Sequence, residues 1–451
     1  MTSGPRGERP ASPPAGSVEP AFAAPASSVD PAHAPDLKWD LLILCIAGYL
    51  LTSVGRVHQL FPTLEFFRPT ILTGALAIGI YLLDRRVERR PHHLFLPTTK
   101  WLLAFLVWMI LAVPGALRAG NSFDLVFDNF VKTVLMYLVV VGAVRGVCDV
   151  ERLGAVYLAA ATVYASVVIS RFDLGAGDAW RLDNLYYYDS NDFATFAVTA
   201  MPFGLYFVLA GRRFLVRSLA AVGLATLLLA FVRTGSRGGF VALVAVVGFI
   251  VLRSTGIPLR WRLSATALVA FVVLGVASDQ YWTRMGTILS DASYDRTEES
   301  GRLQIWSRGL GYIRQFPVLG VGPNNFPVAE GTLSPFAARQ QLGIGVRWNA
   351  PHNTFLQVAA ELGIPGLIFF IGIIASAFGA LRRSGRRGDA VAGARESHPQ
   401  LTQALTGSLI GFVVGSVFLS LAYSEMLYTL VALAVGMQKV SAGPAPPVVT
   451  R

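Results

Sequence analysis

Charge is scarce in this chain: only 14% of its 451 residues are Asp, Glu, Lys or Arg, against 53% hydrophobic residues. With a mean hydropathy of +0.54, that shortage excludes a soluble multidomain protein. Cysteine is scarcer still. Only Cys45, inside an apolar run, and Cys148, between two runs, are present, so neither a disulfide framework nor a cysteine-based metal site has the residues it needs. Lysine is rare beside arginine, and hydrophilic stretches between apolar runs are short with one exception. A strand–turn–helix context for a nucleotide fingerprint is also missing.

What is present is a series of apolar runs long enough to cross a bilayer as helices. They lie near 38–55, 68–84, 101–117, 126–145, 152–170, 193–211, 214–232, 238–253, 261–278, 352–381, 403–422 and 424–440, about twelve spans. Basic residues in alternate short loops give the orientation: Arg85, Arg86, Arg89, Arg90 and Lys100; Arg212, Arg213 and Arg217; Arg253, Arg260 and Arg262; Arg382, Arg383, Arg386 and Arg387. Those loops read as cytoplasmic. The net charge of +11 is then an orientation signal, and a nucleic-acid partner, which would need a basic patch outside the membrane, is not expected. Residues 1–36, rich in Pro, Ala and Ser, read as a disordered cytoplasmic tail rather than a signal peptide.

The expected fold class is therefore an all-α integral membrane protein. Residues 37–278 hold helices one to nine, 279–351 form a loop on the outer side, 352–440 hold helices ten to twelve, and 441–451 form a second cytoplasmic tail. Within the loop, Leu303, Trp306, Leu310 and Ile313 recur at helical spacing opposite Arg302, Arg308 and Arg314, and Pro317 ends the pattern. That spacing predicts an amphipathic helix lying on the outer membrane face.

Two polar clusters interrupt the apolar pattern. An arginine at a helix centre costs roughly 2.5–3.5 kcal/mol on insertion scales, and such charges usually face a working cavity. Arg233 and Arg237 flank Thr234-Gly235-Ser236 at the outer end of the run that starts near Gly238. Four apart, they would project from one face of a helical turn, a pair suited to a pyrophosphate because guanidinium forks bind phosphate oxygens bidentately. Gly235, Gly238 and Gly239 would let backbone N–H groups approach the same anion. The alternative is two arginines that snorkel to lipid head groups.

The second cluster is Pro351-His352-Asn353 at the start of the tenth span. Of the six histidines, His33, His92, His93 and His398 fall on the cytoplasmic side, leaving His58 and His352 for chemistry outside. An imidazole is the usual general base for a hydroxyl; the alternative is that His352 or Asn353 caps the helix. Asn353, Gln357 and Glu361 recur at steps of four and form a polar stripe that must face protein or water. Glu361 could orient a base, accept a proton or pair with an arginine, or it could be a buried structural ion pair.

Three weaker signals complete the pattern. Gly320-Val321-Gly322-Pro323-Asn324-Asn325-Phe326 reads as a tight turn. Asp189-Ser190-Asn191-Asp192 could hold a cation or cap the next helix. Tyr186, Tyr187 and Tyr188 could stack on sugar rings or sit in an interfacial belt.

Arg233 to Gly239 followed by an apolar span, Gly301-Arg302 with Trp306, Gly320 with Gly322 and Phe326, and Pro351-His352-Asn353 with Glu361 and Gly363 together resemble the O-antigen ligase and O-antigen polymerase superfamily. The resemblance covers residues 190–380; the earlier spans match in hydropathy and topology. It implies a bacterial inner-membrane enzyme that takes an undecaprenyl-diphosphate-linked glycan on the periplasmic side and passes it to lipid A-core or a growing glycan, in a metal-independent inverting transfer without a cofactor. It further implies that His352 activates the acceptor hydroxyl while Arg233, Arg237 and Arg302 hold the departing diphosphate; Asn353, Gln357 and Glu361 of the polar stripe are the candidate substrate-binding residues beside them. The first outer loop, near Arg56 to Arg68, contains Glu65 and no aspartate, against a metal-dependent transferase using an acidic pair there. A protein acceptor, or a lipid-linked-sugar transporter with no enzymatic step, would be the alternative functions.

Overall fold

The structure is a computed structural model. It describes residues 38–86, 89, 96–171, 180–182, 185, 187–211, 213–253, 258–287, 301–341, 349–390 and 397–441, with residues 1, 2 and 4. The chain divides into Met1–Asp36 and Leu37–Arg451. Both expected tails therefore lie almost wholly outside the described residues.

Among the described residues there are helices and no strands, and a helix occupies each apolar run. In chain order these are α1 (Leu41–Ser53), α2 (Pro69–Leu83), α3 (Pro97–Ala112), α4 (Val131–Ala143), α5 (Val147–Arg171), α6 (Ser190–Ala210), α7 (Phe214–Thr234), α8 (Arg237–Arg253) and α9 (Leu259–Val276). The loop that follows contributes α10 (Asp279–Gly286), α11 (Arg302–Gln315) and α12 (Phe326–Thr332), and the chain closes with α13 (Thr354–Ala390), α14 (Ser397–Ser416) and α15 (Glu425–Ser441). Among the described residues six helices are long and apolar enough to cross a bilayer, with Ala119–Ala143 counted as one through its π-helical turn at Asp124–Phe130, and three shorter ones are apolar. The chain has the architecture of a multi-pass membrane protein.

Small residues bring the central helices together. Gly407, Gly411 and Gly415 on α14 face Pro202, Val198 and Thr195 on α6, and a Cβ at Gly415 would lie 2.7 Å from Thr195 Oγ1. Glycines four apart let two backbones approach closely, the usual means of packing helices where lipid removes the hydrophobic drive.

One end of the bundle is tied by ions. Arg89 pairs with Asp40 and Asp84 and donates Nε to Ala143 O at 3.1 Å, and Arg145 binds Asp149 and Asp40. Lys439 Nζ caps the end of α4 through the carbonyls of Gly142 and Val144, at 2.8 and 3.0 Å. The start of α1, the ends of α2, α4 and α15 and the start of α5 thus meet at one end, as the loop alternation requires. Arg89, one of the basic loop residues, is buried at 3% exposure.

The last hairpin also differs from the hydropathy reading. The apolar run 403–422 is not one helix: α14 begins at Ser397 and stops at Ser416, and residues 417–424 form a non-helical turn before α15. Hydropathy cannot distinguish apolar helix from apolar turn when the turn is buried against other helices.

Candidate active site

The arginine pair sits on a break between helices. Arg233 is in the last turn of α7, Gly235 adopts a left-handed conformation at φ 55°, and Arg237 is the first residue of α8. The expectation that both arginines project from one helical turn is thus corrected, because a left-handed residue between them ends the helix. Gly235 is required there twice over: its φ favours glycine, and a Cβ would lie 2.6 Å from Trp180. Three successive carbonyls at this helix end find donors. Leu182 N–H donates to Arg233 O at 2.8 Å, Arg181 Nε to Thr234 O at 2.7 Å, and Arg284 Nε to Gly235 O at 2.9 Å. Ser236 caps α8 by accepting Gly239 N–H at 3.1 Å.

The two guanidinium groups differ. Arg237 donates Nη1 to Thr287 Oγ1 at 3.1 Å. Arg233 Nε is buried with no hydrogen-bond partner among the described residues. A buried donor left unsatisfied is costly, so this atom marks a place where an acceptor belongs.

The histidine cluster is built around the turn 417–424. His352 stands in a left-handed conformation, φ 45°, with its N–H donating to Ser420 Oγ at 3.0 Å. A non-glycine residue in that region is held by its surroundings, and such strain clusters at functional sites. Asn353, not His352, is the N-cap: its Oδ1 accepts the N–H groups of Phe355 and Leu356, both at 3.0 Å. Thr354 Oγ1 donates to Leu419 O at 2.8 Å and accepts Leu421 N–H at 2.9 Å, and Gln357 Oε1 accepts Ala422 N–H at 3.4 Å. The same turn reaches the arginine cluster, since a Cβ on Gly238 would meet Phe418 Cβ at 2.8 Å. Two motifs more than 110 residues apart in sequence therefore both contact one short turn.

Glu361 serves a different purpose. Its carboxylate is 1% exposed and accepts Asn324 N–H at 3.0 Å, Phe326 N–H at 3.1 Å and Tyr423 O–H at 2.7 Å. No arginine pairs with it among the described residues. Instead it clamps the glycine-rich turn against α13. Directly below, α13 breaks at Gly363 (φ 70°), ahead of Pro365. The carbonyls of the broken turn are all answered from elsewhere: Ala360 O by Val321 N–H and Glu361 O by Gly322 N–H, both at 2.9 Å, and Leu362 O by the Trp108 indole at 2.9 Å. Non-helical backbone at membrane depth survives only with such replacement partners. The Asn353, Gln357 and Glu361 stripe is real and faces protein.

Helix α11 meets the other side of the histidine. Trp306 Nε1 donates to Pro351 O at 2.9 Å, and Arg302, one turn earlier, is the first residue of the helix. The buried face is Ile305, Gly309 and Tyr312, where Gly309 allows Leu356 and Phe326 to pack closely. The expected solvent face is corrected at Arg308, which forms a forked ion pair with the buried Glu330, with Nη2–Oε2 at 2.6 Å, while Tyr312 donates to the same carboxylate at 2.8 Å. Removing one partner of such a pair would cost about 3–5 kcal/mol. Leu303 and Leu310, seven apart, remain 44% and 50% exposed.

The remaining candidates separate cleanly. His58 is buried in a short 3-10 turn, and burial together with nearby Arg56 pushes its imidazole below the usual range, toward the neutral form. Asp189 caps α6 through Asn191 and Asp192 N–H, both at 2.7 Å; Tyr188 is buried and Tyr187 exposed, while Tyr186 lies outside the described residues. Residues that sequence reasoning passed over include Trp180, Arg181, Arg284 and the turn 417–424. Their roles run through backbone carbonyls and N–H groups, which leave no pattern in residue type.

Comparison with known proteins adds one match. No curated protein matches the chain, but a family model described as O-antigen ligase matches residues 222–371, about a third of its length. That interval contains the α7–α8 break with both arginines, α11 with Arg302, the glycine-rich turn, His352 and the kink of α13. Over residues 222–371 the chain is similar to the O-antigen ligase family.

Proposed function

We propose that this protein is a bacterial inner-membrane glycosyltransferase that moves an undecaprenyl-diphosphate-linked glycan to an acceptor hydroxyl on the periplasmic side, as an O-antigen ligase or a polysaccharide polymerase. The observation that carries the reading is the convergence of the Arg233–Arg237 break and His352 on the turn 417–424. In this scheme about twelve helices cross the membrane, both termini are cytoplasmic, and the site opens at the periplasmic end. His352 takes the proton of the acceptor hydroxyl as its oxygen attacks the anomeric carbon. The carbon–oxygen bond to the diphosphate breaks, and the diphosphate leaves with the electron pair. Fixed guanidinium groups of Arg233, Arg237 and Arg302 stabilise that charge in a site where water screens poorly. Attack opposite the leaving group inverts the anomeric centre. Asn353 and Gln357 shape the site by holding the start of α13 and the turn 417–424, and Glu361 keeps the glycine-rich turn in register.

The donor is a lipid, and the exposed Leu303 and Leu310 of α11 give it a surface at the bilayer edge. Replacing both by serine is expected to raise the KM for carrier-linked donor about threefold to tenfold in proteoliposomes with little change in kcat. An unchanged KM would remove α11 from donor capture.

The acceptor separates the two activities. Purified protein given a carrier-linked oligosaccharide, with and without lipid A-core, should yield either a ladder of lengthened glycans in the absence of lipid A-core, which marks a polymerase, or a single transfer that requires it, which marks a ligase. No transfer under either condition would refute the enzymatic reading.

A further inference from the structure

A second polar cleft opens at the same end of the bundle, outside the machinery described above. It encloses about 570 Å³ and is lined by Arg181, Leu185, Tyr187, Asp189, Ser190 and Asn191, a volume in the range of small-ligand sites. We infer that this cleft is a saccharide subsite, holding a sugar ring of the glycan beside the diphosphate; the inference rests on the donor reading proposed above.

The cleft has the groups a sugar needs. Tyr187 is 53% exposed, yet its ring is fixed: the Arg56 guanidinium carbon lies 3.7 Å from its centroid and Tyr188 meets it edge-on at 5.3 Å. Tyr188 is in turn anchored through its hydroxyl to Val54 O at 2.6 Å, and Arg56 approaches Glu425 at 3.8 Å. An immobilised aromatic ring offers the C–H face of a pyranose a contact at low entropic cost. Asp189 spends Oδ1 on capping α6, and neither its Oδ2 nor the Asn191 side-chain amide forms a hydrogen bond among the described residues. A carboxylate oxygen accepts and an amide both donates and accepts, the complement of vicinal hydroxyls.

The position follows from Arg181. It lines the cleft and donates Nε to Thr234 O, while the next residue, Leu182, donates its N–H to Arg233 O. Ser190 Oγ, on the opposite wall, donates to Leu182 O. The cleft is therefore separated from the arginine turn by a single strand of backbone, the separation expected between a diphosphate and the first sugars it carries.

The test measures binding of two ligands to the full chain in nanodiscs: bare undecaprenyl diphosphate and the same carrier bearing its oligosaccharide. Tyr187→Ala and Asn191→Ala should weaken binding of the loaded carrier about fivefold to tenfold and leave the bare carrier unchanged, with Tyr187→Phe close to wild type. Equal losses for both carriers, or no loss for either, would overturn the subsite while leaving the donor reading intact. Wild-type protein that binds neither carrier would sink the donor reading, and the subsite with it.

Discussion

His352→Ala should lower glycan transfer by at least about 10²-fold while the folded protein and its affinity for the lipid-linked donor stay near wild type. The separation is expected because His352 is held through its backbone: its N–H donates to Ser420 Oγ, and Asn353 supplies the helix cap. Alanine keeps both. Single-turnover transfer measured beside equilibrium donor binding distinguishes the outcomes, and near-normal product from the alanine variant would take the imidazole out of the mechanism. Loss of donor binding in parallel would assign it to recognition instead of proton transfer.

The second large effect falls on the arginine pair. Arg233→Ala and Arg237→Ala should each reduce kcat/KM by roughly 10²–10³-fold, the range seen when one fixed charge-stabilising donor is removed. They should differ in stability. Arg233 has a buried Nε without a partner among the described residues, so its removal relieves an unsatisfied donor and should leave the thermal midpoint unchanged or slightly raised. Arg237 holds Thr287, so its removal also loosens the link between α8 and the loop after α10. Lysine at position 233 should restore only part of the activity, since a point charge cannot reproduce a forked contact. Full activity in Arg233→Ala would mean that its guanidinium serves head groups, the alternative that spacing left open.

Much of the architecture was written in the apolar runs, because bilayer thickness fixes helix length and each run is hydrophobic over most of its circumference. The ion cluster at Asp40, Asp84, Arg89 and Arg145 gathers at one end of the bundle helix ends that the loop alternation groups on one side. The candidate site was legible as residue types: two arginines beside a glycine-rich break, two histidines expected on the outer side and a polar stripe. Its wiring was not. The left-handed turn at Gly235, the carbonyl caps from Arg181 and Arg284, and the bonds of Ser420, Leu419 and Ala422 to the start of α13 all use main-chain atoms, which every residue possesses. Arg308 shows the converse limit. Helical spacing put it opposite the apolar residues, but a buried Glu330 supplied by α12, 22 positions later, turned that face inward.

The break in α13 also fixes an order of assembly. Val321, Gly322 and Trp108, which answer the carbonyls of residues 360–362, all precede the break in the chain, so their donors already exist when this segment leaves the ribosome and enters the bilayer. The kinked helix can settle without waiting. Ser420, which holds His352, and Tyr423, which donates to Glu361, are made only afterwards. A nascent chain ending before α14 would therefore possess the kinked helix and both arginines while still lacking the Ser420 contact to His352 and the Tyr423 contact to Glu361.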